Sequence, residues 1–201
     1  VSAPITIALM FILGVIVYKV LIARVIEAPM LAQMLLTFGL SIVLVNVGLF
    51  LWGSQFKTIP NVLVKGTISI GGVMVSLNAL VPALVSLLMA GAVYWFLMKT
   101  RMGRAFQATS MNKKAAALVG IDTQTVYALA FGLAAACAGL AGSVLSISYY
   151  IFPGVGSVFN LYAFVAVCLG GFGSIPGAFI GGLMIGVSDS LAGFYISAAF
   201  K

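Results

Sequence analysis

Residues 30–52 read MLAQMLLTFGLSIVLVNVGLFLW and contain no charged side chain. They lie inside a longer uncharged segment, Ala28 to Phe56, of 29 residues. An α-helix rises about 1.5 Å per residue, so about 20 apolar residues cross the hydrocarbon core of a bilayer. The sequence therefore predicts a membrane-spanning helix over residues 30–52.

The rest of the chain has the same character. Of its 201 residues, 63% are hydrophobic and 6% are charged. Soluble domains are about 25% charged, and a water-soluble fold of this size would need a larger polar surface. The chain is predicted to be an all-α integral membrane protein, a polytopic transmembrane helix bundle that forms one domain over residues 1–201.

The composition also disfavours an enzyme. There is no His for a metal site, a haem ligand or a Ser-His triad. The acidic residues Glu27, Asp122 and Asp189 are far apart in sequence, so they make no pair of catalytic carboxylates. Cys137 and Cys168 lie in apolar runs without CxxC spacing and are interpreted as core residues. No catalytic residue and no metal ligand is predicted.

The same hydropathy argument predicts further spans over residues 4–23, 77–98, 126–150 and 177–199. Two Gly/Pro-rich breaks separate the last spans: one runs from Phe152 to Gly156, the other from Gly170 to Gly177. A short helix over residues 160–172 lies between these breaks. It is either re-entrant or bounded by a tight turn between tilted helices, and the sequence leaves both open.

Basic residues indicate the orientation. The segment 99–122 contains the densest cluster of them in the chain: Lys99, Arg101, Arg104, Lys113 and Lys114. By the positive-inside rule this segment is cytoplasmic. Alternating spans then place Lys19 and Arg24 on the same side, and Lys57 and Lys65 on the opposite side. The net charge of +7 is therefore interpreted as a topology signal, not as a site for nucleic acid.

The segment 99–122 is predicted to fold into two short helices, over residues 104–109 and 113–119, with Gly120 ending the second. The second helix carries a small apolar face beside two lysines: Ala115, Leu118 and Val119 next to Lys113 and Lys114. A solvated loop does not require this pattern. It is typical of a docking surface.

Small and polar residues inside the spans raise further hypotheses. GxxxG motifs at residues 177–181 and 182–186, and a run of small residues at 134–142, allow close helix packing. Intrachain packing, a subunit contact and a permeation path all remain open for them. Asp189 is the costliest polar residue, because a charge at mid-bilayer costs about 2.5–3.5 kcal/mol. Candidates for a substrate pathway are Asp189, Asn46, Gly170, Gly171 and Gly173.

The stretch KAAALVG, residues 114–120, resembles the EAA-x-x-x-G coupling motif of ABC importer permeases, with Lys114 in place of the Glu. Three other stretches extend the resemblance: TFGLSI at 37–42, TRMGRA at 100–105 and LGGFGSIPGA at 169–178. Together they resemble the branched-chain amino acid (LivH/LivM) permease family, closer to the H-type subunit. By this resemblance the chain is expected to be truncated at both ends.

The resemblance implies a subunit of an ATP-driven importer that carries Leu, Ile and Val across the bacterial cytoplasmic membrane. Its implied partners are a related second permease subunit, two cytoplasmic ATPase subunits, a periplasmic or lipoprotein substrate-binding protein, and membrane lipid. ATP and Mg would be used by the ATPases, and this chain would bind no cofactor. The implied ATPase-coupling residues are Gly103, Arg104, Ala105, Lys113, Lys114, Ala115, Ala116, Gly120 and Ile121.

Two alternatives stay open at this point. Related permeases share the same loop, so the substrate could be urea, a short amide or another amino acid. A different class, an ion-coupled secondary transporter, would use Asp189 as a cation or proton site.

Overall fold

The computed structural model describes residues 2–55, 67–70, 73–146 and 149–195. The predicted polar loop with Lys57 and Lys65, and residues 196–199 of the last predicted span, lie outside these ranges. Within them the chain forms eight α-helices and one β-hairpin: α1 Ser2–Val20, α2 Met30–Trp52, β1 Thr67–Ile70, β2 Val73–Ser76, α3 Leu77–Lys99, α4 Arg101–Met111, α5 Lys113–Leu118, α6 Thr123–Leu145, α7 Val155–Gly170 and α8 Ile175–Tyr195.

Helices long and apolar enough to cross a membrane dominate the described part of the chain. There are five of them: Pro4–Arg24, Leu31–Trp52, Leu80–Lys99, Thr123–Leu145 and Ile175–Tyr195. Their outward side chains are apolar; Phe50 on α2, for example, is 90% exposed. Such surfaces suit lipid or other membrane helices. The prediction of a polytopic membrane protein built from helices is confirmed, with one short β-hairpin in addition.

Several helix ends differ from the predicted ones. The predicted span 4–23 ends as an α-helix at Val20, after which the chain tightens into a 3-10 turn over Ile22–Arg24. The predicted span 126–150 was placed too late, because α6 begins at Thr123 and ends at Leu145. Near that end the Ser143 and Ser146 hydroxyls donate to backbone carbonyls three residues back, which competes with helix continuation.

The short helix predicted over residues 160–172 is longer at its start. Helix α7 begins at Val155, so the prediction that Gly156 breaks the chain was wrong. Gly156 lies in the first turn, where backbone N–H groups have no intrahelical partner and a glycine costs little. Pro176 likewise lies in the first turn of α8, a position that tolerates proline.

The hairpin β1–β2 was not predicted. Its strands are antiparallel, with Thr67 opposite Ser76 and Ile70 opposite Val73. In sequence only Gly71 and Gly72 separate the strands, and a two-residue Gly-Gly connection between β-branched runs is a hairpin signal. The hydropathy argument overlooked it because the strands are as uncharged as the span that follows.

Contacts divide the chain into two compact units, Val1–Phe152 and Pro153–Lys201. In the first unit α1 packs along α6, and α4 and α5 pack against the ends of α3 and α6. In the second unit α7 packs along α8. The assignment of one domain to residues 1–201 stays a prediction.

The α1–α6 pair is built around glycines that receive side chains. A Cβ added to Gly132 would lie 2.7 Å from Val15 Cγ2, and one on Gly139 would lie 2.6 Å from Met10 Cγ. Both distances are shorter than real Cβ contacts, so an added methyl group would force the neighbouring side chains to move. One face of the small-residue run at 134–142, with the buried residues Ala136 and Gly139, thus packs within the chain, whereas a Cβ added to Gly142 would have no neighbour within 4 Å among the described residues. The order of the contacts at Gly132 and Gly139 makes α1 and α6 antiparallel.

The α7–α8 pair brings backbone against backbone. A Cβ on Gly177 would overlap the carbonyl of Gly170, and one on Gly181 would overlap the carbonyl of Ala166. The motif at 177–181 therefore serves intrachain packing. Gly182 has no described atom outside its own helix turn within 4 Å of an added Cβ, so the second motif turns away from α7.

Candidate functional site between α3 and α6

A sharp corner at Thr100 fixes where α4 begins. The Thr100 hydroxyl donates to Phe96 O at 2.7 Å and accepts from the Gly103 N–H at 3.0 Å, so it ends α3 and caps α4 together. A Cβ on Gly103 would lie 2.5 Å from Leu97 Cα. Gly103, predicted as a coupling residue, is therefore buried where α4 folds back on the end of α3.

Further contacts hold α4 on the end of α3. The rings of Phe96 and Phe106 meet edge to face, with centroids 6.1 Å apart. Gln107 Nε2 donates to Leu97 O at 3.2 Å. Thr109 is buried, and its hydroxyl donates to a carbonyl of its own helix. The helix is thus a positioned element, and Arg101 and Arg104 are left exposed on it.

A single residue, Asn112, separates α4 from α5. Its backbone is extended, with φ −155° and ψ 103°, and its N–H donates to Ala108 O, which ends α4. Its side-chain oxygen accepts from the Ala115 N–H at 3.1 Å, which caps α5. The direction of α5 is therefore set by the two dihedral angles of one residue.

Helix α5 ends in a Schellman motif, as the predicted stop at Gly120 requires. Gly120 has φ +85°, and its N–H donates to Ala117 O at 3.1 Å. The Ile121 N–H donates to Ala116 O, also at 3.1 Å. A β-branched residue at position 120 would be strained in this left-handed conformation. The loop predicted as two short helices is confirmed, with α4 longer at both ends.

Asp122 fixes the start of α6. Its Oδ1 accepts from the N–H groups of Gln124 at 3.1 Å and Thr125 at 3.4 Å, and its Oδ2 accepts from the Thr125 hydroxyl. The Thr125 hydroxyl and N–H favour the ionised carboxylate and hold the pKa of Asp122 below its ordinary value. A charged N-cap therefore joins the loop to the membrane helix.

Helix α5 turns apolar side chains to the outside. Ala116 is buried, whereas Leu118 is 88% exposed and Val119 is 76% exposed. Ala115 and Lys114 beside them are also exposed. We call Ala115, Leu118 and Val119 the α5 patch. It lies beyond the membrane-crossing helices, so lipid tails do not explain its apolar exposure, which is typical of a contact with another protein.

Lys113 points elsewhere, toward the connector between α1 and α2. Its Nζ lies 3.2 Å from Glu27 Oε1 and 6.0 Å from the centre of the Tyr127 ring on α6. This contact places the α1–α2 connector at the same end of the unit as α4 and α5. The membrane side of Lys19 and Arg24 relative to residues 99–122 stays a prediction.

All nine predicted coupling residues lie in the segment 99–122, but they divide by exposure. Those at the surface are Arg104, Lys114, Ala115 and Gly120; those buried are Gly103 and Ala116; those in between are Ala105, Lys113 and Ile121. Sequence reasoning missed the supporting residues Thr100 and Asn112, although Thr and Asn just before a helix are recognisable N-cap signals. It also missed Glu27 and Tyr127, for which no local signal exists.

The candidates for a substrate pathway do not form a site within the second unit. Gly170 contacts the backbone of Gly177, while Gly171 and Gly173 have φ of +87° and +89° and are required by the turn. Asp189 is half-buried on α8, twelve residues after Gly177 and so about 18 Å along the helix.

Asn46 lies on α2, in the first unit. Its amide donates to Ile42 O at 2.8 Å, so it is satisfied within its own helix.

The described ranges contain no group of three or more His, Cys, Asp or Glu side chains that could hold a metal ion. Cys137 is half-buried, Cys168 is exposed, and both are free thiols, so the interpretation of Cys168 as a core residue was wrong. One buried polar atom stands out in the α1–α6 interface. The hydroxyl of Tyr18 has no hydrogen-bond partner among the described residues, although its ring packs against Phe131 with centroids 6.3 Å apart.

Comparison with known proteins identifies the class. Over residues 1–201 the chain matches the family described as the permease component of the branched-chain amino acid transport system, and it belongs to that family. The family is that of a membrane permease and not of an enzyme. The membership and the five apolar helices within the described residues make the chain a multi-pass protein of the bacterial inner membrane.

Three relatives sharpen the comparison. The chain is 34% identical to the high-affinity branched-chain amino acid transport system permease protein BraD of Pseudomonas aeruginosa, over 85% of this chain and 57% of that protein. It is 35% identical to the corresponding protein LivH of Salmonella typhimurium, with the same coverage of 85% and 57%. It is 33% identical to the autoinducer 2 import system permease protein LsrC of Salmonella paratyphi B, over 53% of this chain and 33% of that relative.

The chain spans about 57% of the length of the first two relatives. No solved structure matches it.

Proposed function

We propose that this chain is part of a permease subunit of an ATP-driven ABC importer that carries Leu, Ile and Val across the cytoplasmic membrane. Membership of the branched-chain permease family over residues 1–201 supports the class. The names of BraD and LivH, each with 85% of this chain aligned, support the substrate class.

The exposure of Leu118 and Val119 at the end of α5 is the main observation that supports the proposed role in coupling to an ATPase. Helix α5 is capped at Asn112 and closed at Gly120, so it presents these side chains in a fixed direction. A separate ATPase would bury the α5 patch in a groove. The exposed cations Arg104 and Lys114 would attract an acidic rim of that groove and speed its approach.

The remaining partners follow from this proposal. A related second permease subunit completes the membrane part, and two cytoplasmic ATPase subunits bind ATP and Mg. A periplasmic or lipoprotein binding protein delivers the substrate. This chain itself binds no cofactor.

Co-purification tests the coupling role. The permease, its partner permease and the ATPases are expressed together, extracted in mild detergent, and the amount of ATPase retained is measured. We expect Gly120→Val to lose most of the ATPase, because valine is strained at φ +85° and tilts the α5 patch. Gly120→Asn is the matched control, since Asn tolerates the left-handed region, and it should retain more. Equal retention by wild type, Gly120→Val and Gly120→Asn would refute the docking role.

Uptake assays test the substrate. LsrC, whose name assigns it another import substrate, shows that similarity extends beyond branched-chain systems. Labelled Leu uptake into proteoliposomes should be competed by Ile and Val, and not by urea, short amides or other amino acids. Uptake that requires ATP and survives collapse of the ion gradients would exclude the ion-coupled alternative at Asp189. Uptake that stops with the gradient and proceeds without ATP would overturn the proposal.

A further inference from the structure

The α1–α2 connector, residues 21–29, is held in its conformation by hydrogen bonds from α2. Gln33, in the first turn of α2, donates its amide to Ile26 O at 3.1 Å and to Ala28 O at 3.0 Å. These two carbonyls flank Glu27 on either side. The side chain of Glu27 therefore starts from a backbone that α2 holds in place.

The exposed side chain of Glu27 contacts the start of α5. Glu27 Oε1 lies 3.2 Å from Lys113 Nζ, although the two residues are 86 positions apart in sequence. Lys113 is the first residue of α5, and its ammonium also lies 6.0 Å from the Tyr127 ring on α6. One side chain thus links the start of α5 to both the connector and α6.

Helix α2 has few other contacts with the loop. From Leu31 to Trp52, no side chain of α2 is buried by the described residues. Helix α6, in contrast, is joined to the loop covalently and through the Asp122 cap. A displacement of α5 can therefore reach α6 directly, but it reaches the start of α2 through Lys113, Glu27 and Gln33.

We propose that Glu27 and Lys113 are positioning residues that make the α1–α2 connector a second part of the coupling apparatus. When α5 moves, the ion pair carries the connector with it, and the Gln33 hydrogen bonds pass the movement to the first turn of α2. This rests on the proposed docking of α5 on an ATPase. The pair is solvent-exposed, so it contributes position and not much stability.

Charge variants of the reconstituted importer test the link. The quantities measured are ATPase retained, ATP hydrolysed and Leu transported. We expect Glu27→Lys and Lys113→Glu each to lower Leu transported per ATP by about threefold to tenfold, which lies within the range seen for residues that carry coupling. ATPase retention should persist, because the α5 patch is untouched. The double variant Glu27→Lys/Lys113→Glu should restore the ratio to within about twofold of wild type.

An exposed arginine at the start of α4 supplies the matched control. Arg101 is exposed and forms no ion pair with any described residue. Lys113→Gln should lower transport per ATP, whereas Arg101→Gln should leave that ratio unchanged. Equal ratios for Lys113→Gln and wild type, or a double charge swap as poor as the single variants, would overturn the inference. If the wild type itself retains no ATPase, the proposed function fails instead.

A cross-link asks whether the connector and α5 move together. Cysteines at positions 27 and 113, in a background where Cys137 and Cys168 are replaced by alanine, are joined by a short bifunctional thiol reagent. If the two elements move as one body, the joined importer retains Leu uptake. Loss of uptake on joining, reversed by reducing the linker, would show that they must separate, and the link would then be wrong.

Discussion

The pairs α1–α6 and α7–α8 both use glycine for close approach, but their glycines meet different neighbours. In α1–α6 the space above Gly132 and Gly139 is filled by side chains of Val15 and Met10. In α7–α8 the space above Gly181 is filled by a backbone carbonyl. A side chain can change rotamer to admit a methyl group, whereas a helix backbone can admit one only if the whole helix shifts.

This difference separates two uses of small residues in membrane helices. Without a hydrophobic force between helices in lipid, packing depends on fit and on close backbone approach. The α1–α6 pair gains fit from interdigitated side chains. The α7–α8 pair gains it from backbone proximity, which leaves little freedom for substitution.

The largest expected effect is at Gly181. Replacing Gly181 by Ala should lower the free energy of unfolding by about 3 kcal/mol, because the new methyl overlaps the Ala166 carbonyl. Gly182→Ala is the matched control one residue away, because a methyl group at this position would have no neighbour within 4 Å among the described residues. It should be neutral, or stabilising by up to about 1 kcal/mol through helix propensity. The midpoint of thermal unfolding in detergent measures the stability of both variants. Equal losses of stability in Gly181→Ala and Gly182→Ala would contradict the proposed role of backbone contact at Gly181.

The next effect is at Gly139. Replacing Gly139 by Ala should cost about 1 kcal/mol, less than Gly181→Ala, because Met10 Cγ, the atom nearest to the added methyl group at 2.6 Å, can move with a change of rotamer. Met10→Ala removes this Cγ contact and keeps the Cβ contact at 2.9 Å. In a double-mutant cycle, Gly139→Ala combined with Met10→Ala should lose less stability than the sum of the single changes, with a coupling of about 1 kcal/mol. Strict additivity would mean that the backbone of α1, and not Met10, opposes the methyl group.

The smallest effect concerns the helix starts. A carboxylate, Asp122, caps α6, whereas a neutral hydroxyl does this at α8, where Ser174 Oγ accepts from the Gly177 N–H at 3.1 Å. The pKa of Asp122 is lowered on folding, so its stabilising effect is present above its unfolded pKa of about 3.9. The effect is lost as the pH falls through the lower, folded value.

The stability advantage of wild type over Asp122→Asn should therefore shrink as the pH falls from about 6 to about 3. The loss caused by Ser174→Ala should not change with pH, because a hydroxyl does not titrate there. Thermal unfolding of the three proteins across this range measures the difference. A constant gap between wild type and Asp122→Asn would refute the role of the charged cap.

The long helices were predictable because lipid allows few other structures. Residues 30–52 form α2 with both ends as predicted, since uncharged length and flanking polar residues decide a span. The ends of α6 and α7 were not predictable from hydropathy, because caps and glycine turns determine them. The hairpin β1–β2 was missed because strands and buried helices share the same apolar composition.

The site was predictable only in part. The motif at residues 114–120 predicted α5 and its end at Gly120, because a glycine after a short helical segment is a recognisable signal for a helix end in the left-handed conformation. The assignment of Lys113 as a docking residue did not foresee its contact with Glu27. That contact depends on the antiparallel packing of α1 and α6, which brings together residues 86 positions apart. The residues near Glu27 and those near Lys113 contain no sequence pattern that predicts this contact.

The single-residue joint at Asn112 has a consequence for how such loops can change over generations. One residue added to the last turn of α4 would turn everything after it by about 100° and advance it by about 1.5 Å. Leu118 and Val119 would then face a different direction, even with the amino-acid sequence of α5 unchanged. The loop can therefore accept substitutions at its exposed positions, but not insertions or deletions. Alignments of interchangeable loops should show substitutions here and no gaps.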